Sequence, residues 1–403
     1  MMQNFEFYNP TRIVFGTETI ARLSDLVPAD ARVLVLFGGN SARENGTLAE
    51  VTTALGARHV QEFGGIEPNP SYETLMEAVE RVRQDKLDFL LAVGGGSIID
   101  GTKFVAAAVD YPDDPWQILV THGQHVTAAL PFGSVLTLPA TGSEMNANSV
   151  ITRRETHDKL AFMSPHVYPR FSILDPTKTY SLPPRQIANG VVDAFVHIVE
   201  QYLTYPAGGM AQDRFAEGLL QTLIEIGPRA LETPQDADAR ANLMWVATLA
   251  LNGLIGVGVP QDWATHMIGH ELTAAHGIDH ARTLAIVLPS LLNVQRQDKH
   301  AKLLQYAERV WRITSGDETQ RVDEAIHRTA QFFDSLGIKT HLADYDLGAD
   351  DIAPLIAQLE AHGMTALGEH QNIDLDTSRR ILEGALSASP RQASIQSRTR
   401  HQP

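Results

Sequence analysis

The sequence predicts an α/β domain with a mostly parallel sheet, followed by an all-helical domain. Before about residue 180, short β-rich runs alternate with amphipathic helical stretches, a rhythm typical of βαβ units. Beyond that point strand patterns become scarce and helical spacing dominates. We therefore assign 1–180 to the α/β domain and 181–386 to the helical domain. Residues 387–403, rich in Ser, Arg and Gln, are expected to form a disordered tail.

Short apolar runs mark the strands of the first domain. The run at 88–93, DFLLAV, is unbroken, as expected of a strand buried on both faces, and glycines and an apolar helix at 98–109 follow it. Residues 72–83 have the apolar spacing of a helix. The remaining predicted strands are 32–37, 59–63, 134–138 and 171–174. Two more, at 5–8 and 13–15, are predicted near the start and can pair across a subunit interface.

Helices account for the second domain. Pro183-Pro184 is a helix-start signal ahead of the stretch RQIANGVVDAFVHIVEQYL. Further helical stretches are predicted at 212–226, 239–251, 302–313, 323–336 and 352–362.

Composition excludes several classes of function. The chain has no cysteine, which excludes disulfides, thiolate zinc sites and cysteine nucleophiles, so that a tightly held metal must use His, Asp or Glu. The net charge of −16 repels nucleic-acid phosphates and anionic lipid surfaces. No apolar run is long enough to span a bilayer, and the start, MMQNFEFYNPTR, lacks the features of a signal peptide. We expect a cytoplasmic protein that binds neither nucleic acid nor membrane.

A glycine-rich turn follows the buried strand, in the sequence LLAVGGGSIID at 90–100. Glycines let the backbone approach a ligand closely, and the following helix presents free N–H groups to an anion such as a pyrophosphate. The spacing is not G-x-G-x-x-G, because Ile99 stands where the third glycine would be. A turn between tightly packed elements is the alternative. A second strand–glycine turn, Phe37-Gly38-Gly39-Asn40-Ser41, favours a dinucleotide, which needs two such sites.

Histidines cluster in the second domain. His266, His270, His276 and His280 fall within fifteen residues, far above the density expected from 16 histidines in 403 residues. His266 and His270 share a helical face, and Gly277 allows the chain to bring His280 back toward them. In an earlier helix Asp193 and His197 are spaced i, i+4, although such a pair is often only solvated or mutually hydrogen-bonded. Together these residues supply nitrogen and oxygen ligands of the kind that hold Zn²⁺ or Fe²⁺ with one position open.

The combination resembles the iron-containing (group III) alcohol dehydrogenases, and most of all their NADPH-dependent branch of aldehyde reductases and butanol dehydrogenases. The resemblance runs from the opening PTRIVFG at 10–16 to about Leu382. The stretches that carry it are GGIEPNP at 64–70, AVGGGSIIDGTK at 92–103, TLPATGSE at 137–144, the helix with Asp193 and His197, and GLIGVGVPQDWATHMIGHELTAAHGIDH at 253–280.

The resemblance implies a role for particular residues. It makes Asp193, His197, His266 and His280 the ligands of one divalent metal ion, Zn²⁺ or Fe²⁺. His270 then lies near the open metal position without being a ligand and is the candidate catalytic residue. The implied cofactor contacts, together with those of the second glycine turn, are Gly38, Gly39, Ser41, Asn69, Gly95, Gly96, Ser97, Asp100, Thr137, Thr141, Asn146 and Lys159. A homodimer is also implied.

NADP(H) is favoured over NAD(H) on chemical grounds. NAD-preferring dehydrogenases commonly place a carboxylate on the adenosine ribose, where it would repel a 2′-phosphate. The turn after the first strand has donors and the cation Arg43, but no acid before Glu44. Since the whole chain is negative, the cofactor cleft must be locally less negative, and helix N-termini, Arg43 and Lys159 are the expected sources of positive charge.

The expected reaction interconverts aldehydes and primary alcohols, with aldehyde reduction favoured. The metal would polarise the carbonyl, hydride would arrive from the nicotinamide, and a relay of water or ribose hydroxyl through His270 would supply the proton. Three alternatives stay open: a glycerol or diol dehydrogenase that uses NAD, a dehydroquinate-synthase-like lyase that depends on a metal and NAD, and a non-catalytic nucleotide or metal sensor. The lyase needs several basic residues for a polyanionic substrate, whereas only Arg282 lies near the proposed ligands in sequence.

Overall fold

A computed structural model describes residues 1–156 and 158–387. The chain forms two compact units and passes between them more than once. The first, here called the sheet unit, consists of Phe7–Gly190 and Arg229–Gly253. The second, the helical unit, consists of Met1–Glu6, Val191–Pro228 and the chain from Leu254 onward. The expected tail at 387–403 lies outside the described residues except for Ser387.

The strands are β1 Arg12–Phe15, β2 Arg32–Phe37, β3 His59–Phe63, β4 Phe89–Gly95, β5 Phe132–Leu138, β6 Asn148–Arg153, β7 Asp158–Met163 and β8 Phe171–Leu174. The helices are α1 Leu23–Leu26, α2 Ser41–Glu44, α3 Thr47–Leu55, α4 Tyr72–Asp85, α5 Gly96–Ala108, α6 Gln117–Val120, α7 Pro184–Tyr202, α8 Met210–Glu232, α9 Ala237–Ala250, α10 Ala264–His276, α11 His280–Val294, α12 His300–Arg309, α13 Glu318–Ser335, α14 Ile352–Ala361 and α15 Leu375–Gly384. Short 3₁₀ turns occupy Thr19–Arg22, Ser143–Met145, Pro165–Val167, Pro176–Thr179, Leu342–Tyr345 and Ala349–Asp351.

Among the described residues, six strands form one sheet in the order β1-β8-β5-β4-β2-β3, and every pairing in it is parallel. Strands β6 and β7 form a separate antiparallel pair. The α/β sheet followed by a helix-rich part of the chain confirms the predicted fold class. The bounds of β2, β3 and β8 agree with the predicted strands, and β4 and β5 run slightly longer than predicted.

Helices cover both faces of the sheet. Leu34 and Leu36 of β2 belong to one buried core, which is shared with α4 and α5. Val33 and Val35 belong to a second core on the opposite face, shared with α1 and α3. Because both faces of the strand are buried, its side chains are apolar without alternation. The carboxyl ends of the central strands are thereby left to the loops that follow β2, β4 and β5.

One expectation for the chain start differs from the structure. Residues 5–8 form no strand among the described residues, and β1 pairs within the chain, with β8. The chain passes from the sheet unit to the helical unit at Gly190/Val191, while the domain bounds 1–180 and 181–386 stay a prediction, and α9 groups with the sheet unit. One reason is that Thr248 of α9 donates a hydrogen bond of 2.5 Å to the buried carboxylate of Glu144. No helix among the described residues is both long and apolar enough to cross a membrane.

Candidate metal and cofactor sites

The helical unit brings the four predicted metal ligands together. Asp193 and His197 stand one turn apart on α7, and Asp193 Oδ1 lies 3.8 Å from His197 Nε2 and 3.7 Å from His280 Nε2. Asp193, His266 and His280 each offer a ligand atom within 4.8 Å of the others. The His197 ring stacks on the His266 ring with centroids 4.7 Å apart. Three imidazoles and one carboxylate therefore converge on one small volume.

Local backbone geometry explains why His280 reaches this cluster. Helix α10 ends at His276, and Gly277 follows it in the left-handed conformation with φ 67°. A glycine adopts that conformation without steric cost, which reverses the chain direction. Helix α11 then begins at His280 itself. His276 is the exposed last residue of α10.

The donor set fits a divalent cation such as Zn²⁺ or Fe²⁺. Burial lowers the pKa of His197 to about 4, with Asp193 opposing the shift, so that the imidazole is neutral near pH 7. Its Nδ1 is buried and has no hydrogen-bond partner among the described residues. A neutral imidazole beside a buried carboxylate can coordinate without first losing a proton. Nitrogen and oxygen donors at these distances match the ligands that both metals accept.

Glu200 is a member of this site that sequence reasoning missed. It lies on α7, three residues after His197, and only 2% of it is exposed. One carboxylate oxygen contacts His266 Nδ1, and the other accepts from the backbone N–H of Thr265 at 2.7 Å. Burial and the nearby Asp262 raise the pKa of Glu200, whereas the hydrogen bonds that it accepts favour the anion. The helical spacing from His197 was the available signal, since it puts the two side chains on one face.

His270 lies beside the ligand cluster. It follows His266 by one turn of α10, and its ring centroid is 6.2 Å from that of His266 and 5.1 Å from that of His280. Only 9% of its surface is exposed to solvent. An imidazole at this position is close enough to the proposed metal ligands to interact with a molecule that is bound beside them.

In the sheet unit, the backbone of the turn from β4 to α5 packs closely against the end of β5 and the loop after it, as the alternative of a tightly packed turn predicts, and ligand binding at this turn stays a prediction. A Cβ on Gly96 would lie 2.4 Å from Thr141 Oγ1, and one on Gly95 would lie 3.0 Å from Leu138 Cβ. Ser97 follows in the first turn of α5. The end of β5 carries Thr137, next to these glycines in the sheet. Only glycine fits where α5 begins, and the N–H groups of that first turn are available to an anion.

The second glycine turn lies at the same edge of the sheet, after β2. A Cβ on Gly38 would come within 3.1 Å of the Ile66 carbonyl oxygen, whereas Gly39 and Ser41 are exposed. Because β2 neighbours β4, both glycine turns follow adjacent parallel strands. A ligand with two phosphate-linked parts fits such a pair of turns.

Arg43, which is expected to be a source of positive charge beside this turn, is paired with an acidic residue. Its guanidinium forms an ion pair of 2.5 Å with Glu62 and lies 5.4 Å from the centroid of the Phe37 ring. Glu62 is in β3, which pairs with β2. The local sequence contained no acid before Glu44, but the neighbouring strand brings one to the same edge.

Asn69 and Lys159 are brought together from distant parts of the sheet unit. Lys159 Nζ donates to Asn69 Oδ1 at 3.0 Å. Asn69 has φ 55°, a left-handed conformation that asparagine tolerates better than most residues. The pair joins the loop after β3 to strand β7.

Asp100 and Asn146 use their polar atoms within the protein. The Asp100 carboxylate accepts from Ser143 Oγ at 2.5 Å and from the Val150 N–H at 3.0 Å. Asn146 donates to the Gly142 carbonyl oxygen and accepts from the Lys103 ammonium. Their role as cofactor contacts stays a prediction, and these hydrogen bonds support the loop after β5.

Lys103 organises that loop and was also missed. It is fully buried and donates to Ser143 Oγ at 2.7 Å, Asn146 Oδ1 at 2.9 Å and the Asn148 carbonyl oxygen at 2.7 Å. Burial lowers the pKa of Lys103 to about 8, and Asp100 and Glu144 oppose that shift. The residue belongs to the AVGGGSIIDGTK stretch, but nothing in the spacing showed where its ammonium lies.

Comparison with known proteins finds the same protein family in the first and the second part of the chain. Residues 10–176 match the model of the iron-containing alcohol dehydrogenases, and 187–386 match the C-terminal model of the same family. The NADPH-dependent aldehyde reductase YqhD of Escherichia coli is 62% identical over 95% of this chain and 100% of its own length. A probable NADH-dependent butanol dehydrogenase of Bacillus subtilis is 38% identical over 96% of this chain and 100% of its own.

Solved structures give the same result. The crystal structure of E. coli K-12 YqhD superimposes with a TM-score of 0.95, at 61% identity, over 95% of this chain and 99% of that one. The NADH-dependent butanol dehydrogenase A of Thermotoga maritima superimposes with a TM-score of 0.92, at 34% identity, over 96% and 99% of the two chains. The resemblance that the sequence motifs suggested is thereby confirmed, and the chain belongs to the iron-containing alcohol dehydrogenase family.

Proposed function

We propose that this protein is an NADPH-dependent aldehyde reductase that needs one divalent metal ion, Zn²⁺ or Fe²⁺. The observation that carries the proposal is the convergence of Asp193, His266 and His280, with His197 beside them, in a member of a metal-dependent oxidoreductase family. The 62% identity to an NADPH-dependent aldehyde reductase supports the cofactor and the direction of the reaction.

The residues of the chain have separable tasks in this proposal. A divalent cation, when bound, supplies a Lewis acid that polarises the aldehyde carbonyl. Asp193, His197, His266 and His280 would hold it, and the burial of the first three limits the access of competing water. His270, next to the ligands, would pass a proton to the carbonyl oxygen through a relay of water or ribose hydroxyl. The reaction then consumes one hydride from C4 of NADPH and one proton, and releases the primary alcohol and NADP⁺.

The glycine turns after β2 and β4 serve the cofactor. The N–H groups at the start of α5, where Gly96 leaves room, would bind the pyrophosphate. Gly38, Gly39 and Ser41 would take the adenosine end. The ion pair of Arg43 with Glu62 restrains a carboxylate that would otherwise repel a 2′-phosphate, which supports NADPH over NADH.

Loss of NADPH absorbance on adding butanal tests the proposal directly. The chelated protein should be inactive and should recover with Zn²⁺ or Fe²⁺. His266→Ala should abolish turnover while NADPH binding stays measurable. The matched control is His276→Ala on the same helix, an exposed residue whose loss should leave activity unchanged. Turnover by the chelated protein or by His266→Ala would overturn the metal-dependent mechanism, and equal kcat/KM with NADH would overturn the cofactor preference.

The proposal includes a homodimer and a cytoplasmic location. Strand β1 is at the edge of the sheet, and aromatic side chains beside it are exposed: Phe7 at 42%, Tyr8 at 73% and Phe15 at 43%. Phe15 contacts Trp245, which is also exposed, at 6.2 Å between ring centroids. A sheet edge flanked by exposed aromatic residues is favourable for pairing with a second copy.

A further inference from the structure

Glu200 makes three contacts with the start of α10. Its Oε1 accepts from the backbone N–H of Thr265 at 2.7 Å and from that of His266 at 3.3 Å. Its Oε2 forms the contact with Nδ1 of the His266 ring. A single buried carboxylate thus contacts both the backbone and the ring of one proposed ligand.

The ring contact decides which nitrogen of His266 faces the ligand cluster. A neutral imidazole carries one proton, so a carboxylate that accepts from Nδ1–H leaves the lone pair on Nε2. Carboxylates in this place fix the tautomer and orientation of metal-bound histidines in general and make the coordinating nitrogen more basic. Glu200 also shares α7 with Asp193 and His197, which ties the two ligand-bearing helices together at the ligands.

Neighbouring contacts keep the start of α10 in place behind Glu200. The Asp262 N–H donates to the Glu200 carbonyl oxygen at 2.8 Å, and Asp262 Oδ1 accepts from the Ala264 N–H at 2.8 Å. Asp262 Oδ2 pairs with the buried Lys299 ammonium at 2.9 Å. These contacts therefore hold the N-terminal turn of α10 against Glu200.

We propose that Glu200 is the positioning residue of the metal site, holding His266 as the Nδ1–H tautomer with Nε2 presented for coordination. This inference rests on the proposed function, because it assumes that His266 is a metal ligand. It predicts that the charge and the two acceptor oxygens of Glu200 set the metal affinity, and that the residue does not contribute to NADPH binding.

Glu200→Gln is the discriminating substitution because it keeps the size of the side chain. If the amide oxygen accepts from the two backbone N–H groups, the NH₂ group faces Nδ1 and drives the ring proton to Nε2, where it blocks coordination. If the amide is reversed, its NH₂ group faces the backbone donors of Thr265 and His266. Either arrangement should weaken Zn²⁺ binding, by ~10–100-fold, as is typical when the hydrogen-bond partner of a metal-bound histidine is lost.

Glu217→Gln is the matched control. Glu217 is also a buried glutamate of the helical unit, 6% exposed, but its partners are Tyr202, Arg214, Gln305 and Arg309. Chelated wild type and both variants are titrated with Zn²⁺ against a chromophoric chelator, and NADPH binding is measured in parallel. We expect weaker Zn²⁺ binding only in Glu200→Gln, with NADPH affinity unchanged in both variants. Equal Zn²⁺ affinity in wild type and Glu200→Gln would overturn the inference.

A measurement on the wild type keeps the test valid if Glu200→Gln fails to fold. Zinc-loaded protein labelled with ¹⁵N-histidine should show His266 coordinated through Nε2, with a slowly exchanging Nδ1 proton, the signal being assigned by its loss in His266→Gln. Coordination through Nδ1 would refute the role of Glu200. If wild type binds neither Zn²⁺ nor Fe²⁺, the proposed function itself fails, an outcome distinct from tight binding that does not depend on Glu200.

Discussion

Lys103→Met should destabilise the sheet unit far more than loss of a lysine that pairs with an exposed carboxylate. Lys103 is fully buried and donates three hydrogen bonds, and Asp100 and Glu144 are the acids that interact with it. Methionine fills nearly the same space, so that little cavity energy is involved. The loss instead removes the buried cation that acts on both acids, and breaking a buried charge interaction in this way typically costs about 3–5 kcal/mol.

The pKa of Lys103 indicates which end of that range to expect. Burial lowers this pKa from 10.5 to about 8, which means that holding the charged form in the folded protein already costs about 3 kcal/mol. Because the substitution removes that cost together with the hydrogen bonds, we expect the lower end, about 3 kcal/mol. For a unit of this size the midpoint Tm should fall by ~6–12 °C.

Thermal unfolding followed by circular dichroism at one fixed scan rate is the assay. The control is Lys178→Met, since Lys178 pairs with the exposed carboxylate of Glu50 at 2.7 Å and such pairs contribute about 0–1 kcal/mol. A second variant, Lys103→Met with Glu144→Gln, removes one of the stranded charges and should regain part of the lost stability. If Lys103→Met unfolds no earlier than Lys178→Met, the buried cation is not what holds this loop.

Two further predictions concern the glycine turn and the assembly. Gly96→Ala places a Cβ 2.4 Å from Thr141 Oγ1, and the resulting overpacking of about 1–3 kcal/mol should weaken NADPH binding by ~10-fold or more. Gly218→Ala is the control, because a Cβ at Gly218 has no atom within 4 Å and should leave NADPH affinity unchanged. Unchanged NADPH affinity in Gly96→Ala would contradict the tight turn. Light scattering of the wild type should give a mass of twice the 44.1 kDa of one chain. Phe15→Glu should lower this mass, whereas Met163→Glu, which also replaces an exposed side chain, should not. A monomeric wild type would refute the dimer.

The central strands were predictable because burial on both faces leaves a continuous apolar run. In β4 the apolar run predicted the strand, and the glycines at its end predicted the turn that follows. The pair β6 and β7 carries no such run, since most of its residues are only partly buried, and it was missed. Residues 5–8 show the opposite error: their aromatic side chains suggested a strand, but no neighbouring strand takes up their backbone groups among the described residues.

Helical spacing revealed that α9 is a helix but not which core it joins. Its Thr248 side chain meets Glu144, more than one hundred positions earlier in the chain, within the sheet unit. The apolar pattern of a helix records that one face is buried, and contains no information about the partner. The point along the chain where helices begin to dominate therefore does not tell which unit α9 packs into.

Residue type and local spacing identified the proposed ligands, whereas long-range pairing determined what supports them. His266 and His280 could be selected because histidines were dense in one segment, and the turn at Gly277 brings His280 back toward His266. Glu200 could be placed on the face of His197 by helical spacing, but its contact with His266 depends on how α7 and α10 pack. Lys103 lacked even that signal, because nothing local distinguishes a buried lysine on a helix from an exposed one.

Pairing between strands changes the charge that the local sequence predicts at the cofactor turns. A chain of net charge −16 must still accept an anionic dinucleotide, and Arg43 was an expected source of local positive charge. The parallel pairing of β2 with β3 gives Arg43 an acidic partner in Glu62, so that its net field at the turn is reduced. Lys159 donates to the neutral amide of Asn69, and its charge also acts on the buried Asp100 carboxylate, where it lowers the pKa that burial raises. Attraction for the cofactor phosphates is therefore expected mainly from the N–H groups at the start of α5, while Arg43 acts mainly by restraining Glu62.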